Sequence, residues 1–150
     1  MSIRRDRRLM GLALGLASSG FGRTGDNPSV GCVICDRDGH VIAAARTADG
    51  GRPHAEETAL AGLGNRAEGG TAYVTLEPCR ERSTGDPSCS ERLVEAGLAR
   101  VVVALKDEHP NGAGGLGRLR TAGVTVEVGL KAAQAARLYR DFFERAKSQG

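Results

Sequence analysis

The segment His54-Ala55-Glu56, the later pair Pro78-Cys79, and Cys89 are the residues of this chain whose types and spacing could do chemistry. An imidazole and two thiolates suit zinc, and three protein ligands leave the fourth tetrahedral position to water, as in a catalytic rather than a structural zinc site. Zinc held this way lets a coordinated water ionise near neutral pH. Glu56 stands two residues from the histidine, where its carboxylate can reach that water and a neighbouring substrate nitrogen, so it fits a proton shuttle. Each piece alone has a plainer reading. The H-x-E triplet occurs by chance, and two cysteines can be buried filler or a structural metal pair. Cys32 and Cys35 offer a rival C-x-x-C pair, but an offset of three along a strand sends the side chains to opposite faces. Core packing is therefore the reading for at least one of them.

These groups can meet only if the elements around them bring them together. Arg5, Arg8, Leu9, Leu12, Ala13 and Leu16 repeat every three to four residues and predict an amphipathic first helix. After a loop from Gly20 to Pro28, Val30 to Cys35 predicts a buried strand. Asp36-Arg37-Asp38-Gly39 is turn chemistry, and Val41 to Ala45 is the returning strand of a hairpin. His54 to Leu63 has helical spacing and a Gly64-Asn65 stop. Thr71 to Leu76 predicts a strand ending before Pro78, and Ser90 to Ala96 a short helix. Val101 to Ala104 and Val124 to Val128 predict strands of the kind buried on both faces, separated by a glycine-rich loop from Asn111 to Gly117. Lys131 to Ala146 closes the chain as a helix with Ala135, Leu138 and Phe142 on one side. The alternation predicts an α/β fold, a three-layer α/β/α sandwich around a mixed sheet of about five strands, with residues 1–150 as one domain. Histidine and carboxylate then lie at a helix start, one thiol at a strand end and the other at the front of the next helix, where dipole and free amides favour a thiolate.

Composition narrows the function classes. At 40% hydrophobic and 26% charged residues the sequence is that of an ordinary globular protein, and no apolar run reaches membrane-spanning length. The basic N-terminus has an apolar part broken by Gly11 and Gly15, so it reads as a helix rather than a secretory signal, and the expected location is the cytoplasm. The net charge of +3 scatters 21 basic among 18 acidic residues, and only two Tyr and three Phe are present; a basic, base-stacking surface for nucleic acid is not expected. The expected partner is a small-molecule substrate.

H-x-E with P-C-x-x-C is the signature of zinc deaminases, and only the spacing between the cysteines departs from it. Nine residues separate Cys79 from Cys89, a lengthening that costs little because closure entropy grows logarithmically. Together, Asn27-Pro28-Ser29-Val30-Gly31, Pro53-His54-Ala55-Glu56, Tyr73-Val74-Thr75-Leu76-Glu77-Pro78-Cys79 and Cys89 resemble the pyrimidine deaminase domain of bacterial riboflavin biosynthesis, within the cytidine and deoxycytidylate deaminase superfamily. The likeness continues through Glu95-Ala96-Gly97, Arg100-Val101-Val102-Val103 and Ala122-Gly123-Val124. It implies a cytidine-deaminase-like fold, one zinc per subunit, at least a dimer, and deamination of a phosphorylated aminopyrimidine.

By the same resemblance Asn27 hydrogen-bonds the substrate's ring or ribose, while its plainer role is a turn residue before Pro28. Three departures stand out. The family commonly carries a reductase on the same chain, whereas this sequence stops at Gly150, so a separate reductase is expected. The inter-cysteine loop reads Arg80-Glu81-Arg82-Ser83-Thr84-Gly85-Asp86-Pro87-Ser88, one residue longer than usual, with Glu81 in place of a substrate-facing histidine. Asp107-Glu108-His109-Pro110 keeps the family's aspartate but changes its neighbours. Arg52, Arg80 and Arg82 are the local candidates for a substrate phosphate, since a guanidinium fork matches phosphate oxygens. Their plainer reading is as solvated loop charges.

The expected mechanism is hydrolytic: water adds to the amino-bearing ring carbon while Glu56 protonates the adjacent ring nitrogen and later the departing ammonia. Two alternatives remain, a deaminase of another aminated base, nucleoside or nucleotide, and a non-catalytic zinc-stabilised binding module. Glu56 argues against the module, because a structural site uses four protein ligands.

Overall fold

The computed structural model describes residues 2–79, 87–107 and 114–149. Helix α1 (Ile3–Ser19) starts behind Ser2, whose hydroxyl accepts the Arg5 amide, one of the four donors a helix start leaves unpaired. It buries Leu9, Met10, Ala13, Leu14 and Ala17. Leu12, expected on the buried stripe, is exposed: at 100° per residue it falls across the helix from that set.

Strand β1 (Gly31–Cys35) is buried throughout and pairs antiparallel with β2 (Val41–Arg46). The turn between them is the expected one, with the Asp36 carboxylate accepting the amides of Asp38 and His40. Helix α2 (Ala55–Leu60) is shorter than the periodicity predicts, because Ala61 takes an extended backbone and turns carry the chain to β3 (Thr71–Leu76). Helix α3 (Cys89–Glu95) and strand β4 (Arg100–Leu105) follow. Helix α4 (Gly115–Thr121) corrects the expectation of a plain glycine-rich loop through Gly117. Its signal was the Leu116–Leu119 spacing, one apolar face that is buried here. Strand β5 (Thr125–Val128) and helix α5 (Ala132–Gln149) complete the order.

The sheet order is β2-β1-β3-β4-β5, antiparallel as far as β3 and parallel from β3 to β5. β4 is buried on both faces, as its apolar run predicts, but β5 is an edge strand with Val128 exposed, which corrects its expected full burial. Helices cover both faces. On one, Ala55, Ala59, Leu93, Leu116 and Leu119 pack against Cys32, Ile34, Val74, Val101 and Val103. On the other, Leu9, Met10, Ala13, Leu14, Ala135 and Tyr139 pack against Val33, Cys35, Tyr73, Val102 and Ala104. The three-layer α/β/α sandwich is therefore the one expected from the sequence. Cys32 and Cys35 point into opposite cores, so they form no metal pair. Among the described residues no helix is long and apolar enough to cross a membrane.

Candidate metal and catalytic centre

The site lies where β3 runs out and the two following connections begin. Pro78-Cys79 continues β3, and the Cys79 carbonyl accepts the Ser90 amide at 3.1 Å, which ties the strand exit to the first turn of α3. Cys89 opens α3 behind Ser88, whose hydroxyl accepts the Glu91 amide at 3.2 Å. His54 caps α2 in extended conformation, with its amide donating to the Glu57 carboxylate at 3.4 Å. Two helix starts and a strand end thus converge, and one candidate ligand atom each from His54, Cys79 and Cys89 lies within 4.8 Å of the others.

Local electrostatics favour a metal donor set. His54 Nδ1 is 3.3 Å from Cys89 Sγ, and the Cys89 amide donates to Cys79 Sγ at 3.3 Å. Hydrogen bonding from the Cys89 side chain, then from His54 and the Cys89 amide, holds the Cys79 thiol well below its ordinary range against the opposing effect of burial. A thiol that ionises this readily is a good zinc donor. All four cysteines are free, so no disulfide competes for Cys79 or Cys89. With one imidazole and two thiols in mutual reach, the residues fit zinc.

Glu56 sits in the first turn of α2 and is only 3% exposed. Burial raises its carboxyl above the usual range and the neighbouring Cys79 charge adds to this, while its own backbone amide, His54 and the Cys89 side chain oppose it. Water is held away from a carboxyl so placed, which favours proton transfer over solvation.

The other predicted residues are distributed around this centre. Asn27 is partly buried; its side-chain amide donates to the Gly51 carbonyl at 2.9 Å and its carbonyl accepts the Thr24 hydroxyl at 2.8 Å. It thus ties the loop before β1 to the turn leading into Pro53-His54. Arg52 is exposed on that turn, and Asp107 is partly buried just past β4. Arg80, Arg82 and Glu81 lie outside the described residues.

Two features escaped sequence reasoning. Glu77, directly before Pro78-Cys79, is buried and accepts three backbone amides. Its signal was a carboxylate wedged between an apolar strand and a proline. The second is a polar bridge across the sheet: the Tyr139 hydroxyl donates to the Ser29 carbonyl at 2.6 Å and lies 2.7 Å from Thr75 Oγ1, which accepts the Gly31 amide at 3.0 Å.

The family model for the cytidine and deoxycytidylate deaminase zinc-binding region matches residues 3–105, a span containing His54, Glu56, Cys79 and Cys89. The chain belongs to this deaminase family. Similar to it are the riboflavin biosynthesis protein RibD of Escherichia coli K12, 43% identical over 96% of this chain and 39% of that protein, and the diaminohydroxyphosphoribosylamino-pyrimidine deaminase of Buchnera aphidicola from Acyrthosiphon pisum, 36% identical over 91% of this chain and 92% of that protein. A solved structure from Thermotoga maritima, a diaminohydroxyphosphoribosylaminopyrimidine deaminase/5-amino-6-(5-phosphoribosylamino)uracil reductase, superposes with a TM-score of 0.88 at 28% identity, covering 98% of this chain and 42% of that one. This deaminase-family chain therefore spans about two fifths of the larger relatives and nearly all of the Buchnera protein.

Proposed function

We propose that this chain is a zinc-dependent hydrolytic deaminase that acts on a phosphorylated aminopyrimidine, diaminohydroxyphosphoribosylaminopyrimidine, in riboflavin biosynthesis. The observation that carries the chemistry is a buried Glu56 beside the converging His54, Cys79 and Cys89. The substrate class rests on the Buchnera deaminase, whose length this chain nearly matches.

His54, Cys79 and Cys89 would hold the zinc, which when bound supplies a water that ionises near neutral pH. Glu56 takes the proton released as water adds to the amino-bearing ring carbon and passes it to the adjacent ring nitrogen. It then delivers a proton to the amino group, which leaves as ammonia while the carbonyl forms. Asn27 binds the ring or ribose, Asp107 faces the substrate from the end of β4, and Arg52, Arg80 and Arg82 are the candidates for the phosphate. Residues 1–150 act as one deaminase domain, and a reductase activity consumes its product, as the two-part name of the Thermotoga relative suggests. The resemblance to the family supports at least a dimer. The expected location is the cytoplasm.

The test is ammonia release from zinc-loaded protein offered the ribosylaminopyrimidine phosphate, its dephosphorylated form, cytidine, deoxycytidylate, guanine and adenosine. The phosphorylated pyrimidine should be preferred over its dephosphorylated form by about tenfold or more, the value of a charged hydrogen bond, and Arg82→Ala should reduce that preference. Equal efficiency on both would point to an uncharged base or nucleoside. No release from any of them would restore the binding module.

A further inference from the structure

Glu77 is spent on neither the metal nor the proton transfer, yet it is 6% exposed and its carboxylate is fully engaged. One oxygen, Oε1, accepts the Asp107 amide at 3.1 Å. The other, Oε2, accepts the amides of Gly114 at 3.0 Å and Leu116 at 3.2 Å. Its own amide donates to the Leu105 carbonyl at 2.9 Å, so the residue also extends the β3–β4 pairing past the last strand position. A carboxylate taken out of water must be met by donors, and among the described residues every donor to this one is a backbone amide of a segment bordering the site. The approach is close: a methyl group on Gly115 would collide with the Pro78 carbonyl oxygen, so α4 can begin against Pro78 only with glycine there.

We infer that Glu77 is a positioning residue that clamps Asp107 and the start of α4 against the Pro78-Cys79 strand end, and so sets the substrate wall opposite the metal ligands. The inference rests on the proposed role of Asp107 in substrate binding. Glutamine in its place has one acceptor oxygen, and its amide N–H groups would oppose the backbone N–H groups they meet. At least one side of the clamp, Asp107 or the α4 start, is then released. The Cys79 thiol, held separately by the Cys89 amide, keeps its place.

The experiment compares wild type, Glu77→Gln, Asp107→Ala and the double variant, all as zinc-loaded full-length protein. Zinc per chain should be equal in wild type and Glu77→Gln, and amide hydrogen exchange at Asp107, Gly114 and Leu116 should accelerate in the variant. With whichever compound of the ammonia panel is turned over, KM should rise by about tenfold and kcat should change less, in line with a lost charged hydrogen bond acting through substrate contact. In the Asp107→Ala background the same substitution should change KM less than about twofold, because the group it positions is gone. Glu77→Asp, which keeps the charge on a shorter arm, should fall between the two, and it replaces Glu77→Gln if that variant does not fold.

A lowered thermal midpoint with KM unchanged, or equal KM effects in both backgrounds, would overturn the inference and leave Glu77 a structural residue. Unchanged exchange at all three amides would overturn it as well. If wild type releases no ammonia from any compound, the proposed function fails, and the exchange measurement alone decides the clamp.

Discussion

Two buried carboxylates in this molecule are treated in opposite ways. Asp6, on α1, accepts the Tyr73 hydroxyl at 2.6 Å and both ends of the Arg100 guanidinium at 3.1 and 2.6 Å, while Arg100 also reaches Glu127. Hydrogen bonding to Arg100 keeps the Asp6 carboxyl below its usual range, and its partners are pushed the other way, Tyr73 upward by burial and by Asp6, Arg100 upward by its two carboxylates. That cluster is closed, and its product is the docking of α1 onto β3 and β4. Glu56 is as deeply buried, but its carboxyl is raised rather than lowered, and its neighbours are a histidine and two thiols. A buried acid whose charge is neutralised inside the fold serves the fold. One held at raised pKa beside metal donors is poised to exchange protons with something that arrives.

Breaking the second cluster should have the larger effect. Cys89→Ser should release zinc and abolish turnover, whereas Cys32→Ser, in the core between α2 and the sheet, should leave elemental zinc content unchanged; the reverse pattern would overturn the ligand assignment. Glu56→Gln should retain zinc and a wild-type thermal midpoint but lose about two to four orders of magnitude in kcat, the contribution of a positioned acid–base group. Unchanged turnover would remove Glu56 from the chemistry.

Breaking the first cluster should do the opposite. Asp6→Asn should leave KM and kcat at 25 °C near wild type and cost about 3 kcal/mol in denaturant unfolding, the low end for a severed buried pair because Arg100 keeps Glu127. The pH dependence sharpens the contrast. Asp6 has a lower carboxyl pKa folded than unfolded, so its contribution is complete above the unfolded value of about 3.9 and is lost as pH falls through the folded value. Unfolding free energy of the wild type should therefore fall on acidification below pH ~4 more steeply than that of Asp6→Asn; parallel curves would contradict the assignment.

The sequence announced the Glu56 cluster and was silent on the Asp6 cluster, for a physical reason. His54, Cys79 and Cys89 are of metal-binding types and stand with Glu56 at spacings fixed by where strands end and helices begin, so their pattern survives in one dimension. Asp6, Tyr73, Arg100 and Glu127 are ordinary residues that only the folded sheet brings together. The same distinction runs through the fold. Apolar and β-branched runs gave β1 to β4, and turn chemistry gave the Asp36–Gly39 hairpin. Helix α4 was hidden because Gly115 and Gly117 look like loop residues, although one of them is there for close approach to Pro78. β5 was misjudged because an apolar run carries no information on whether a further strand lies beside it. Glu77 was visible as a residue but not as a clamp, since its partners among the described residues are backbone amides with no side-chain signature.

The Tyr139 bridge bears on the order in which the molecule can be completed. Its hydroxyl meets the Ser29 carbonyl across 110 positions of chain. A ribosome delivers Ser29, Gly31 and Thr75 well before Tyr139, so during synthesis the antiparallel strands β1 and β3 can pair while the Ser29 carbonyl still waits for its donor. The loop bearing Asn27 leads directly into that residue. The last helix to emerge therefore fixes one of the first segments made, and a nascent chain has the proposed metal ligands in hand before the loop proposed to hold its substrate is locked.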